Sequence, residues 1–139
     1  MIIYETIYKK LDTILNLNDL LKYHAGFNIK LKSSGYMNLS VEILEKSPEF
    51  VRISMTHYGE QNGDLMADPD MEVKIYPKNN MAEAISFQND YMGLYQVVYP
   101  EVGKVNIKLK KELNSFLTQW LSNLKIQGFK RQQVASKKV

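Results

Sequence analysis

Residues 113–124, LNSFLTQWLSNL, carry the pattern from which the fold is predicted. Their large apolar side chains recur at three- and four-residue steps, the spacing that places residues on one face of an α-helix. These apolar residues are Leu113, Phe116, Leu117, Trp120, Leu121 and Leu124. The residues between them are polar and fill the other side: Asn114, Ser115, Thr118, Gln119, Ser122 and Asn123. A helix with such an apolar face is not stable alone in water, so we expect it to cover a core that the middle of the chain supplies.

The middle of the chain alternates between apolar and polar residues, which is the period of a half-buried β-strand. This alternation predicts strands over 27–31, 37–43, 51–55, 71–76, 82–87 and 93–99. Residues 3–24 show helical spacing, with Asn18 placed to begin a second short helix, and the last helix is expected to begin within 104–111 and end at Gly128. The short connections favour an α+β fold: an antiparallel six-stranded meander sheet with the N-terminal and C-terminal helices packed on one face.

Length and composition indicate an ordinary globular protein. The chain has 139 residues, 45% of them hydrophobic and 24% charged, which fits one domain. Without cysteine, disulfides, thiolate catalysis and Cys-ligated zinc are excluded. The longest run without Asp, Glu, Lys or Arg is 113–124, whereas a membrane-spanning helix needs roughly 20 apolar residues. We therefore expect a soluble cytoplasmic protein with no membrane segment and no cofactor.

Positive charge is concentrated at the C-terminus. Residues 125–139 hold five basic residues and no acid, so the rest of the chain has 13 basic against 15 acidic residues. We predict a single domain over 1–128 followed by a basic flexible tail over 129–139. One hypothesis is that the tail binds nucleic acid through Lys130, Arg131, Lys137 and Lys138. We favour the alternative of a solvated chain end, because the charge density is modest.

Residues 58–70, YGEQNGDLMADPD, form the longest break in the alternation and the richest polar cluster. The candidate site residues there and just before are His57, Tyr58, Glu60, Asn62, Asp64, Asp68 and Asp70. Carboxylates near a histidine suit a divalent metal or general acid–base chemistry. A calcium-loop pattern starting at Glu60 fails, because Leu65 and Met71 stand where glycine and glutamate are required. We favour a long hairpin connection in which Asn62-Gly63 forms a tight turn.

Tyrosine is abundant, with nine residues in the chain. Tyr91, Tyr95 and Tyr99 recur at four-residue steps and share one face of a strand region. Together with Tyr58 and Tyr76 they suit an exposed aromatic surface for protein binding or base stacking. Ordinary cross-strand packing is the favoured interpretation, since β-strands are rich in tyrosine. No nucleophile motif and no glycine-rich phosphate loop is present.

Three further motifs suggest kinship. They are residues 70–76, DMEVKIY, residues 81–84, MAEA, and residues 114–121, NSFLTQWL. Over about residues 50–128 the chain resembles the YqiB-like family of uncharacterised short bacterial proteins. Residues 57–71 also look like a motif of uncharacterised proteins from plasmids, phages and conjugative elements. The resemblance implies a shared fold and a bacterial or mobile-element origin, but no catalytic residues.

We predict a non-enzymatic protein-binding module, by association with mobile elements an accessory protein or an inhibitor of host defence. Its binding residues are expected to be those of the polar break together with Tyr76 and Tyr95. The first alternative is a metal-dependent enzyme using His57, Asp64, Asp68 and Asp70. The second is a nucleic-acid accessory protein acting through the tail.

Overall fold

The computed structural model describes residues 2–131 and confirms the α+β fold. Its helices and strands are α1 (Ile3–Leu15), α2 (Leu17–Leu20), β1 (Asn28–Leu31), β2 (Leu39–Lys46), β3 (Val51–Gln61), β4 (Asp64–Tyr76), β5 (Met81–Asn89), β6 (Leu94–Val97) and α3 (Ile107–Ile126). The strands lie in the order β1-β2-β3-β4-β5-β6, and every neighbouring pair is antiparallel. The sheet is therefore the predicted meander. Within residues 2–131, no helix is long and apolar enough to cross a membrane.

Helices α1 and α3 pack against each other and against β5 on one face of the sheet. The Asn106 side chain caps α3 by accepting a hydrogen bond from the backbone N–H of Leu109 at 3.0 Å. Five of the six apolar residues in the α3 pattern are buried, and only Phe116 is exposed, with its ring 5.4 Å from that of Phe87 at the border of the core. The helix thus covers the core as its spacing predicts.

Asn114 departs from the sequence prediction, because it is buried although it was placed on the polar side of α3. Its Oδ1 accepts a hydrogen bond from the backbone N–H of Ala84 at 2.8 Å, and its Nδ2 donates to the backbone oxygen of Lys110 at 2.8 Å. Strand β6 pairs with β5 only from Ser86 onward. Asn114 therefore supplies a hydrogen-bond partner to a backbone group that β6 does not reach.

The predicted hairpin at 58–70 is present, but its connection is shorter than expected, because residues 58–61 belong to β3 and residues 64–70 to β4. The only unpaired residues between the two strands are Asn62 and Gly63, with φ of 54° and 87°, and Gln61 pairs with Asp64. The two-residue tight turn is thus confirmed. The alternation disappears here because this part of the hairpin extends past the core, so neither of its faces needs an apolar row.

The C-terminal boundary also differs from the prediction. Gly128 ends α3 with φ of 95°, as expected. The next residues do not start a free tail, because Phe129 is 2% exposed and Arg131 is 6% exposed. The packed part of the chain therefore continues through Arg131. The remainder of the predicted tail, including Lys137 and Lys138, lies outside the described residues.

Candidate binding surface

The face of the sheet opposite the helices presents polar side chains in rows that cross the strands. Met71, Val73 and Ile75 of β4 point into the core, so the residues that alternate with them point the other way. Following the strand pairing, the first row is Lys30, Ser40, Thr56, Asp70, Gln88 and Tyr95. The second row is Asn28, Glu42, Ser54, Glu72, Ser86 and Val97. The third row is Glu45, Arg52, Lys74 and Glu83. We call these three rows the open face.

The open face is mildly acidic, because its rows hold five carboxylates against three basic side chains. Arg52 lies between two of them: its Nε is 3.1 Å from Glu45 Oε1 and its Nη1 is 2.7 Å from Glu72 Oε1. The Lys74 ammonium lies 4.1 Å from the centre of the Phe50 ring. With both nearby cations already engaged, the excess negative charge favours a basic partner.

Asp70 is the least satisfied carboxyl of the open face. Its Oδ1 is buried and, among the described residues, has no hydrogen-bond partner. Burial raises the pKa of this carboxyl above its usual value; a hydrogen bond with Thr56 opposes the rise, and the charges of Glu72, Asp90 and Glu42 add to it. A buried carboxylate oxygen without a hydrogen-bond partner costs stability when the carboxyl is charged.

A second cluster lies where the third row ends, around Glu83. The Tyr76 hydroxyl donates to Glu83 Oε2 at 2.7 Å, the Tyr99 hydroxyl donates to Glu83 Oε1 at 2.6 Å, and the Lys110 ammonium is 3.7 Å from Oε1. Burial raises the pKa of Tyr76, and the hydrogen bond to Glu83 raises it further. A cavity of about 150 Å³ adjoins the cluster, with Tyr4 and Met81 in its wall.

Both Glu83 oxygens are thus satisfied from within the chain, so the cluster ties β5 to the connection before α3. Of its members, the sequence analysis named Tyr76 as a binding residue and Tyr99 as part of the candidate aromatic surface. Glu83 and Lys110 were missed. The available signal was a single charge in the otherwise neutral stretch 81–87, MAEAISF, and it did not indicate a partner.

The outer part of the β3–β4 hairpin projects beyond the neighbouring strands. Strand β2 stops at the pair Leu39–His57 and β5 stops opposite Asp70, so residues 58–67 pair only with each other. We call these residues the arm. Within the described residues, no third strand pairs with either edge of the arm, so backbone groups along its edges other than the Ala67 N–H can pair with another chain.

The base of the arm is held by the turn between β5 and β6. The backbone N–H of Ala67 donates to Asp90 Oδ2 at 2.7 Å, and Asn89 Nδ2 donates to Asp68 Oδ1 at 2.8 Å. A hydrogen bond from Gln88 and the one from Ala67 lower the pKa of Asp90. Gly59 leaves room for the Tyr91 hydroxyl, which would collide with a Cβ at position 59.

Large apolar side chains remain exposed on the arm and beside it. They are Tyr58, Leu65, Tyr91, Met92 and Tyr95, and Leu65 and Met92 are 69% and 71% exposed. Aromatic residues and methionine are enriched in protein interfaces. We call these five residues the arm surface.

The predicted site residues are distributed over three places. Tyr58, Asp70, Tyr76 and Tyr95 lie on or at the border of the open face. The tip of the arm holds Glu60, Asn62 and Asp64, and its base holds Asp68.

His57 does not belong to this surface, contrary to the prediction. Its ring is buried on the helix side, 5.6 Å from the Trp120 ring and 5.8 Å from the Phe129 ring. Its Nδ1 lies 3.0 Å from the backbone oxygen of Asn38. Continued alternation along β3 turns position 57 inward, beside Met55, although the residue is polar.

Among residues 2–131, neither alternative hypothesis gains a site. His57 and Asp70 lie on opposite faces of the sheet, and within residues 2–131 no three His, Asp or Glu side chains are grouped to hold a metal ion. For nucleic acid, Arg131 is engaged inside the fold: its Nη2 is 2.6 Å from Asp19 Oδ2 and its Nη1 donates to the backbone oxygen of Leu15 at 3.3 Å. Lys130 is exposed.

Comparison with known proteins places most of the chain in one family. The family model described as a domain of unknown function, DUF6908, matches residues 6–130. No curated protein and no solved structure matches the chain.

Proposed function

Since the chain belongs to the DUF6908 family, a domain of unknown function, we propose its function from its own surface: it is a protein-binding module that docks its partner on the arm and the adjoining open face. The observation that carries the proposal is the arm surface, in which two large apolar side chains are exposed on an anchored hairpin and three more on the turn and strand beside it. Soluble domains rarely expose such groups together without a binding role.

The anchoring supports binding because it lowers the entropy cost of association. Hydrogen bonds from Ala67 and Asn89 and the contact between Tyr91 and Gly59 hold the arm before a partner arrives. A surface that is already ordered loses less conformational freedom on binding than a flexible loop does.

The partner fits a chemical description. Apolar and aromatic groups would contact Tyr58 and Leu65, and basic groups around them would face the acidic rows of the open face. From the resemblance to mobile-element proteins, we expect this chain to act in the bacterial cytoplasm. Its specific role would be to inhibit a host defence protein.

The test compares two matched double variants in capture experiments from bacterial lysate. Tyr58→Ser with Leu65→Ser removes two members of the arm surface. Val102→Ser with Ile107→Ser removes two exposed apolar side chains from the other end of the molecule, near the start of α3. A protein captured by the wild type is then purified, and its dissociation constant for each variant is measured.

We expect the arm variant to bind about 30-fold more weakly or worse, the effect of losing an interface residue worth about 2 kcal/mol. The control variant should bind within about twofold of the wild type, because isolated surface residues outside an interface contribute little. A partner that binds the arm variant and the wild type equally would contradict the proposal.

A further inference from the structure

A groove of about 490 Å³ lies between α1 and α3, in the helix layer on the other side of the molecule from the open face. Its lining residues are Lys9, Lys10 and Thr13 from α1 and Leu121, Ser122, Lys125 and Ile126 from α3. The volume lies within the range of small-molecule sites. Nothing in the protein-binding proposal uses this groove.

The charge in the groove is of one sign. Lys9, Lys10 and Lys125 line it, and no aspartate or glutamate does. Within the described residues, none of these three ammonium groups lies within 4.0 Å of a carboxylate. Three positive charges that line one groove attract an anion, and no carboxylate of the described residues competes with it for them.

Hydroxyl groups stand next to these lysines. Lys10 Nζ donates to the Ser122 hydroxyl across the two helices, which orients Lys10 over the groove. Thr13 contributes a second hydroxyl on the α1 side. Three ammonium groups and two hydroxyl groups together offer more donors than a carboxylate accepts, and they suit a phosphate, whose several oxygens carry up to two charges.

The floor of the groove is apolar. Leu121 lies beneath the groove and is fully buried, so it closes the bottom without offering contact area, whereas Ile126 is 83% exposed at the rim and within reach of a ligand. Among the lining residues there is no aromatic ring on which a nucleobase would stack. The apolar part of a ligand would therefore be aliphatic.

We propose that this groove binds a phosphate-bearing small molecule with an aliphatic body. The phosphate contacts Lys9, Lys10 and Lys125, with hydroxyl donors from Ser122 and Thr13. The aliphatic body lies against Ile126. This shared chemistry occurs in soluble alkyl phosphates and in the headgroup region of anionic lipids.

The test measures binding to the full chain by isothermal titration calorimetry at about 0.15 M salt, an ionic strength at which purely diffuse attraction is screened. The probes are inorganic phosphate, hexyl phosphate and vesicles of phosphatidylglycerol with phosphatidylcholine. We expect hexyl phosphate to bind at least tenfold more tightly than inorganic phosphate. Equal affinities for hexyl phosphate and inorganic phosphate would show that the apolar side chains of the groove do not contribute to binding, and would overturn the assignment.

The variants separate a specific site from net charge. Lys9→Gln, Lys10→Gln and Lys125→Gln together should weaken binding of hexyl phosphate at least tenfold. Lys22→Gln, Lys78→Gln and Lys111→Gln remove the same total charge outside the groove and should change it less than twofold. Equal losses in both triple variants would overturn the proposal.

The variant Ile126→Ser and the vesicle probe test the apolar contact and the source of the phosphate separately. Ile126→Ser should weaken hexyl phosphate but leave inorganic phosphate unchanged, and because Ile126 is exposed this variant is expected to fold. Vesicles that bind while hexyl phosphate does not would mean a membrane surface in place of a small-molecule site, and would refute the assignment.

Discussion

Phe129 provides the sharpest test of where the folded part of the chain ends. It follows Gly128, where helical periodicity stops, yet it is 2% exposed and its backbone N–H donates to the oxygen of Leu124 at 3.0 Å. Its ring lies 5.8 Å from that of His57 and 6.4 Å from that of Tyr36. Phe129→Ala would therefore open a cavity inside the core.

The size of the effect follows from the area that the ring removes from water. A buried phenylalanine removes roughly 150–250 Å² of surface, worth about 4–6 kcal/mol at about 25 cal/mol per Å². Alanine retains part of that burial, and the surroundings relax only partly, so we expect Phe129→Ala to lower the free energy of unfolding by about 3–4 kcal/mol. Urea denaturation followed by the fluorescence of Trp120, the single tryptophan, measures it.

The neighbouring residue supplies the control. Lys130 belongs to the same segment but is exposed, so Lys130→Ala should change the free energy of unfolding by less than about 0.5 kcal/mol. A loss below about 1 kcal/mol for Phe129→Ala would refute the packing of this segment. Equal losses for the two variants would refute it as well.

Three other predictions concern the open face and the arm. Burial raises the pKa of Asp70, so the folded state loses stability as the pH rises through that pKa. Asp70→Asn should therefore increase the free energy of unfolding by about 1 kcal/mol at pH 7 and by less at pH 3.5. Urea denaturation at both pH values measures the difference. Glu83→Gln should lower the raised pKa of Tyr76 towards its usual value, visible as an earlier tyrosinate absorbance step at 295 nm; an unchanged titration would mean that burial alone raises it. Gly59→Ala should displace the Tyr91 ring. It should lower the free energy of unfolding by less than about 1 kcal/mol, because the contact is with the end of an exposed side chain. A heteronuclear NMR spectrum should show chemical-shift changes confined to the arm and the β5–β6 turn.

Much of the architecture was predictable because local spacing reflects which side of an element faces the core. The apolar steps over 113–124 indicated α3, the alternation indicated the strands, and Asn62-Gly63 indicated the hairpin turn. For residues 58–61 and 64–70 the same reasoning predicted a loop, since the outer hairpin has no core beside it to impose alternation. Tyr58 was named from the polar break and Tyr95 from its spacing along the chain, but their places on the arm surface depend on which strands stop early.

By itself, the sequence determined the types of the elements, their order and the apolar side of each one that is buried. These properties depend on the spacing of apolar residues within a short stretch of chain. The tertiary structure alone decided which polar groups meet. Lys10 and Ser122 are 112 positions apart, as are Arg131 and Asp19. Asn114 reaches Ala84, and His57 enters the core beside Trp120. These contacts depend on how the helices cross the sheet. The residue pattern of one segment does not show which distant segment will lie beside it.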